Sequence, residues 1–336
     1  MLKQLALASM VMTTAAIAEE SPEVSLSGYF LSAMGGDLSD GPADYGAYNE
    51  IDLTTSVAFS KSTSVDIYTT VLSDYATSGD AWWPEVYFDG IMLTHNYTDD
   101  FSFYFGDLVY GAGDFGYYVY KRAYSIVDET AARGIGFSTA GLTFYTGMEG
   151  DNAWGNYVSY EAPMPEGMSF TAVGNYVGAT GIQEIQAGAA FGMEADAFSV
   201  NATAGVFKAT GSDVGFNVLL EPYMDFGMFN ILGSFYMQNA GEKENTAMIA
   251  GGGLSDMYAY VEPGVVIDDI HSFGVTFEYH DADSDLEDET FDIWPTLYMA
   301  PAGDILFLIT AGTSIDLVDS DADPSYGFGA ELTGSF

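Results

Sequence analysis

The chain contains no cysteine. Disulfides and thiolate catalysis are therefore excluded, and the fold must hold itself by packing and sheet hydrogen bonds. Positive charge is almost as scarce. Seven Lys and Arg stand against 49 Asp and Glu, for a formal net charge of −42. Such a chain repels phosphate backbones, which excludes nucleic acid as a partner. It attracts cations instead. No segment approaches the roughly 20 apolar residues that a membrane-spanning helix needs. Histidine is limited to His95, His271 and His280, which leaves little for acid–base catalysis.

What is present is apolar, aromatic and rich in glycine. The chain is 48% hydrophobic and 15% aromatic, with 39 glycines. The apolar residues alternate with polar ones. Ile51, Leu53, Val57 and Phe59 oppose Glu50, Asp52, Thr54 and Ser56. After a turn at Lys61-Ser62-Thr63, Val65, Ile67 and Val71 oppose Asp66, Tyr68 and Thr70. Phe101, Phe103 and Phe105 alternate with Ser102, Tyr104 and Gly106. Phe273, Val275, Phe277 and Tyr279 oppose Ser272, Thr276, Glu278 and His280. Period-two patterning reads as strands with one apolar and one polar face.

The two ends fit this pattern. Residues 1–18 carry a single charge, Lys3, then an apolar run from Leu5 to Val11, then Ala16-Ile17-Ala18. A basic start, a short apolar stretch and an A-x-A site predict a secretory signal peptide, with the mature chain at 19–336. The last segment, Ser325 to Phe336, alternates and stops on an aromatic carboxylate. It resembles the C-terminal strand of Gram-negative outer-membrane β-barrels, and the chain as a whole resembles a general porin. That resemblance implies an outer-membrane location and Phe336 as the signal read by the barrel-assembly machinery. It also implies contact with lipid and lipopolysaccharide, a homotrimer as the default assembly, and no cofactor.

The expected fold is all-β: one transmembrane antiparallel barrel of about 16–18 strands with short periplasmic turns and longer acidic extracellular loops. Short connections are expected at 98–100, 164–167, 225–227 and 301–303. Long ones are expected at 34–47, 74–84, 111–132, 282–289 and 316–324. The stretch 246–269 reads either as one strand after Gly251-Gly252-Gly253 or as a hairpin turning at Ser255-Asp256. A plugged 22-strand transporter needs far more chain.

On the polar faces, Glu50, Asp52, Asp66, Glu184, Glu221, Glu278, His280 and Asp292 are the candidate pore-lining residues. Acidic linings favour cations. The segment 111–133 gathers Lys121, Arg122 and Arg133 beside Asp114, Asp128 and Glu129. Its early position and composition resemble the inward-folded constriction loop of general porins, where a crossed field sets selectivity. The alternative is local neutralisation of those acids. Carboxylates at alternate positions in Asp281–Glu289 begin like a calcium loop, but Leu286 stands where the turn glycine belongs. Loose calcium or magnesium binding at the outer surface is expected there, without a dedicated metal site.

An enzyme is not expected, because no nucleophile motif accompanies the His280-Asp281 pair. Three functional readings remain. The first is a porin passing small hydrophilic solutes with a cation preference. The second is a substrate-selective channel, for sugars for example, using Tyr104, Tyr117, Tyr118, Tyr120 and Tyr124. The third is a structural or adhesive barrel with a closed lumen.

Overall fold

The computed structural model describes residues 22–38, 44–76, 84–112, 127–149, 153–179, 182–211, 213–239, 255–282, 288–302, 304–319 and 321–336. Strands follow one another along the chain as β1 (Glu23–Asp37), β2 (Asp44–Ser60), β3 (Thr63–Ala76), β4 (Glu85–Thr98), β5 (Phe101–Ala112) and β6 (Val127–Thr139). Next come β7 (Leu142–Glu149), β8 (Ala153–Glu161), β9 (Met168–Ala179), β10 (Ile182–Ala195), β11 (Phe198–Ala209) and β12 (Gly215–Asp225). The last six are β13 (Phe229–Asn239), β14 (Ser255–Val266), β15 (His271–Ala282), β16 (Asp288–Ala302), β17 (Ile305–Asp316) and β18 (Ser325–Ser335). They form one 18-stranded sheet in which β1 also pairs with β18. All neighbours run antiparallel, so the sheet is a closed barrel with no free edge.

Register carries one face unbroken around this barrel. Tyr104 faces Gly136, which faces Tyr145, then Tyr157, Asn175, Gln186 and Phe207 in turn. Further round, Leu219 faces Tyr236, Tyr236 faces Tyr258, and Tyr258 faces His280. Glu278 faces Asp292, and Asp52 faces Thr70. Residues of this face are buried, among them Tyr145, Asn175, Gln186, Tyr236 and Glu278. The opposite face exposes large apolar side chains, such as Ile185 (56%) and Val206 (51%). The polar face therefore looks into the lumen and the apolar face looks out. The residues expected to meet lipid obey this rule. Ile51, Phe101, Phe273 and Phe277 are exposed, and Leu53, Phe103 and Val275 share their faces.

Aromatic rings gather outside, near one end. His95, Tyr97, Phe101, Phe137 and Phe144 form a chain with successive ring centroids 4.4, 5.6, 6.4 and 5.6 Å apart. They sit beside the tight turns 99–100 and 140–141. Amphipathic rings favour the boundary between hydrocarbon and water, so this belt has the character of an interfacial girdle.

Connections sort by end. Those from an even-numbered to an odd-numbered strand are tight, for example 61–62, 99–100, 140–141 and 196–197. Those at the other end include 113–126 and 240–254. Two expectations need correction. The stretch 34–47 is not all loop: β1 runs to Asp37 and β2 starts at Asp44, with Gly35 paired to both Gly46 and Gly329. Likewise β6 begins at Val127, so only 113–126 lies between strands there. Glycine and acidic residues suggested turns, but pairing on both sides holds these segments extended. The 255–266 stretch is one strand.

One backbone irregularity sits in the wall. Gly106 has φ of +134°, and a Cβ there would run into the Ile91 carbonyl. Only glycine tolerates that conformation at that approach. The kink lets the Asp107 carboxylate accept the Ile91 N–H at 3.0 Å, close over Gly90.

Candidate functional site

The lumen face is where the candidate site residues meet. Glu50 and Asp52 lie two apart on β2, and alternation sends both inward with Tyr48. Tyr48 donates to Glu50 at 2.6 Å, and Thr70 of β3 donates to Asp52 at 2.7 Å. Asp66 shares their face through the pairing of β2 with β3. Glu184 on β10 is buried and accepts from Gln186 Nε2 at 2.5 Å. Glu221 on β12 is buried on the same face, opposite Asn201. Glu278, His280 and Asp292 are brought together by β15 and β16. His280 Nε2 lies 3.1 Å from Glu278 Oε2 and 3.5 Å from Asp292 Oδ2. Register thus places all eight candidate lining residues on one continuous face.

The candidate constriction residues are distributed differently. Asp114, Lys121 and Arg122 lie outside the described residues, as do Tyr117, Tyr118, Tyr120 and Tyr124 and the segment 1–18. Asp128 and Glu129 fall within β6. Arg133, also on β6, is paired with a residue outside the candidate set. Its Nε and Nη2 donate to Asp107 Oδ1 and Oδ2 at 2.5 and 2.9 Å, a two-pronged bridge to β5. The fork geometry of guanidinium and carboxylate makes such pairs specific in orientation. Lys208 has the strand parity of outward Val206, whereas the Asp107 carboxylate that holds Arg133 lies over Gly90, opposite lumen-facing Tyr68.

Sequence reading missed a heavily bonded carboxylate of the wall. Glu262 on β14 is buried and is held by three hydroxyls from three strands. Tyr260 of β14 donates to Oε2, Thr276 of β15 donates to the same oxygen at 3.2 Å, and Tyr298 of β16 donates to Oε1 at 2.8 Å. The signal was visible as Tyr258-x-Tyr260-x-Glu262, three polar-tipped residues on alternate positions. Two tyrosine-rich clusters also line the lumen. One joins Leu219, Leu232, Tyr236, Tyr258 and Tyr260. The other joins Ala132, Tyr145, Tyr157 and Val173, with Tyr104 against it. Tyr104 Oη is 2.8 Å from Ser138 Oγ. Near the short-turn end, Glu262 borders a recess of about 420 Å³ walled by Tyr223, Asn230, Leu232, Ser272 and Tyr298 among others.

This wall combines acidic oxygens with phenol and amide groups. It can coordinate or attract cations, and it can offer hydrogen bonds to hydroxylated solutes.

Comparison with known proteins places the architecture. No family model matches the chain, and no curated protein matches it. Solved structures do. Pseudomonas aeruginosa OpdQ aligns over 94% of this chain and 99% of its own at 9% identity, with a TM-score of 0.60. Pseudomonas aeruginosa OccK5 (OpdH) aligns over 94% and 98% at 7% identity, with a TM-score of 0.61. Pseudomonas putida OprB at high pH aligns over 93% and 94% at 9% identity, also at 0.61. These neighbours are outer-membrane porins of Gram-negative bacteria. At such identities the likeness establishes architecture, and on that ground the chain has a porin-like fold: a closed antiparallel barrel of 18 strands.

Proposed function

We propose that this protein is an outer-membrane porin for passive diffusion of small hydrophilic solutes, with a preference for cations. One observation carries the reading. Glu50, Asp52, Asp66, Glu184, Glu221, Glu278 and Asp292 share the lumen face, whereas Lys208 has outward parity and Arg133 is neutralised by its bridge to Asp107. A low-dielectric wall strengthens the field of such acids and enriches cations between them. Glu262, and Glu331 opposite Ala33, add to the same face. The outward apolar surface and the ring belt fit insertion in lipid, and the longer connections with their acidic residues suit the outer side. Lys121, Arg122 and Arg133, with Asp114, Asp128 and Glu129, are the proposed constriction set. A trimer, contact with lipopolysaccharide, and recognition of Phe336 by the assembly machinery belong to the same proposal.

A second reading is a substrate-selective channel. The recess beside Glu262, with its tyrosine, asparagine and serine walls, favours it. Planar-bilayer recording on the refolded protein separates the readings. An open porin gives stepwise conductance insensitive to micromolar sugars or amino acids. Steps blocked by one solute support the selective channel. Absence of steps contradicts both.

A further inference from the structure

A buried and a half-buried carboxylate face each other across adjacent strands, with no lysine or arginine between them among the described residues. Glu278 on β15 is directly opposite Asp292 on β16. Glu278 is only 2% exposed. Like charges placed opposite on a sheet repel, and burial strengthens that repulsion. Among the described residues, the groups packed around them supply no lysine or arginine. From β14 come Tyr258, whose ring centroid is 4.9 Å from that of His280, and Tyr260 with the carboxylate Glu262. From β17 comes Ser314, opposite Asp292. Among the described residues, the one basic group at hand is His280 itself, two residues along β15.

The three side chains have the chemistry and spacing of a ligand set. One ligating atom from each of Glu278, His280 and Asp292 lies within 4.8 Å of the other two. The separations of 3.1 and 3.5 Å from His280 Nε2 to Glu278 Oε2 and Asp292 Oδ2 suit an ion bound at about 2.0–2.2 Å from each atom. His280 is 8% exposed and faces into the group. Its Nδ1, and Asp292 Oδ1, have no hydrogen-bond partner among the described residues. Buried polar atoms left unpaired call for a water, a proton or an ion. With an ion at Nε2, the ring proton belongs on Nδ1, and the free Asp292 oxygen remains available to the ion.

We infer that Glu278, His280 and Asp292 form a lumenal binding site for one first-row divalent transition ion of the Zn²⁺ class. One imidazole nitrogen with two carboxylates suits Zn²⁺, Co²⁺ or Ni²⁺. Calcium and magnesium want six or more oxygens and disfavour the imidazole. The ion neutralises the facing carboxylates and leaves a coordination position toward the lumen. This inference does not require the barrel to conduct.

The test uses the full-length folded barrel in detergent, with millimolar Mg²⁺ to occupy the acidic surface. Co²⁺ is titrated and followed by its visible absorption, and Zn²⁺ by calorimetry. The expected result is one saturable ion per chain. His280→Asn and Asp292→Asn should each weaken it at least tenfold, while Asp319→Asn, in an exposed connection, should leave it unchanged. If a variant fails to fold, Cu²⁺ paramagnetic resonance on the His95→Gln, His271→Gln double variant decides: coupling to one nitrogen supports His280 as ligand. Absence of saturable binding, unaltered binding in folded His280→Asn, or a copper signal without nitrogen coupling overturns the inference.

Discussion

Phe336 and Gly28 exchange two backbone hydrogen bonds, each 3.0 Å long, and so fasten the last strand to the first. The Phe336 ring lies over the glycine. A Cβ on Gly28 would stand 2.8 Å from the ring Cζ and would strike the Asp52 carbonyl. Gly28→Val therefore forces the seam apart, whereas Phe336→Ala keeps both backbone bonds and removes only the ring. Overpacking of this kind costs about 1–3 kcal/mol. Urea unfolding of the refolded barrel should show the larger loss for Gly28→Val. The signal role proposed for Phe336 adds a separate expectation: Phe336→Asp should reduce insertion in cells. Normal insertion would remove that role.

Export should trim the chain after Ala18. Intact-mass measurement on protein from outer membranes is expected to give a mature N-terminus at Glu19. A mass that retains Lys3 would contradict the proposed signal peptide.

Two glycines with positive φ should respond differently to alanine. Gly106 and Gly211 have φ of +134° and +87°. At Gly211 the position of a Cβ is open, so Ala adds only backbone strain of about 1 kcal/mol. At Gly106 it also collides with β4, whose Ile91 N–H is held by Asp107. Gly106→Ala should cost several-fold more in chemical unfolding, and should loosen the Asp107–Arg133 bridge. Equal costs at the two sites would refute the wall geometry.

The turn between β14 and β15 has a built-in acid sensitivity. Asp268 Oδ1 accepts the backbone N–H groups of Ile270 and His271, both at 2.8 Å, and its carboxylate meets the His271 ring at 2.9 Å. Those backbone donors, first Ile270 and then His271, hold its carboxyl below the usual carboxylate range. A depressed value means that the folded turn favours the ionised form. The contribution is present above the unfolded value of about 3.9 and fades as pH falls through the lower folded value. Asp268→Asn should lower thermal stability at neutral pH, and the difference from wild type should vanish in strong acid. A difference that grows on acidification would have the wrong sign.

How far the sequence spoke depended on whether a contact was local. The outward row Phe273, Val275 and Phe277 and the inward row Glu278 and His280 were legible, because lipid on one side and polar lumen on the other impose period two. Strand ends were less legible. Met34-Gly35-Gly36 and Asp128-Glu129 have turn-like composition, yet both stretches lie in strands. The Arg133–Asp107 bridge and the three hydroxyls on Glu262 were hidden for another reason. Each joins residues 14 to 36 positions apart, or neighbours on one strand whose third partner lies on another. Such meetings depend on register, which local patterning leaves open.

If lumen acids set the selectivity, a zero-current potential must carry their sign. The barrel is inserted in a planar bilayer across a gradient of dilute potassium chloride, because salt screens these charges within about 8 Å at physiological strength. The expected sign is that of potassium permeation, with the potential reduced by the paired change Glu50→Gln and Asp52→Asn. A potential with the sign of chloride permeation would contradict it, and would hand control of the pore to Lys121, Arg122 and Arg133.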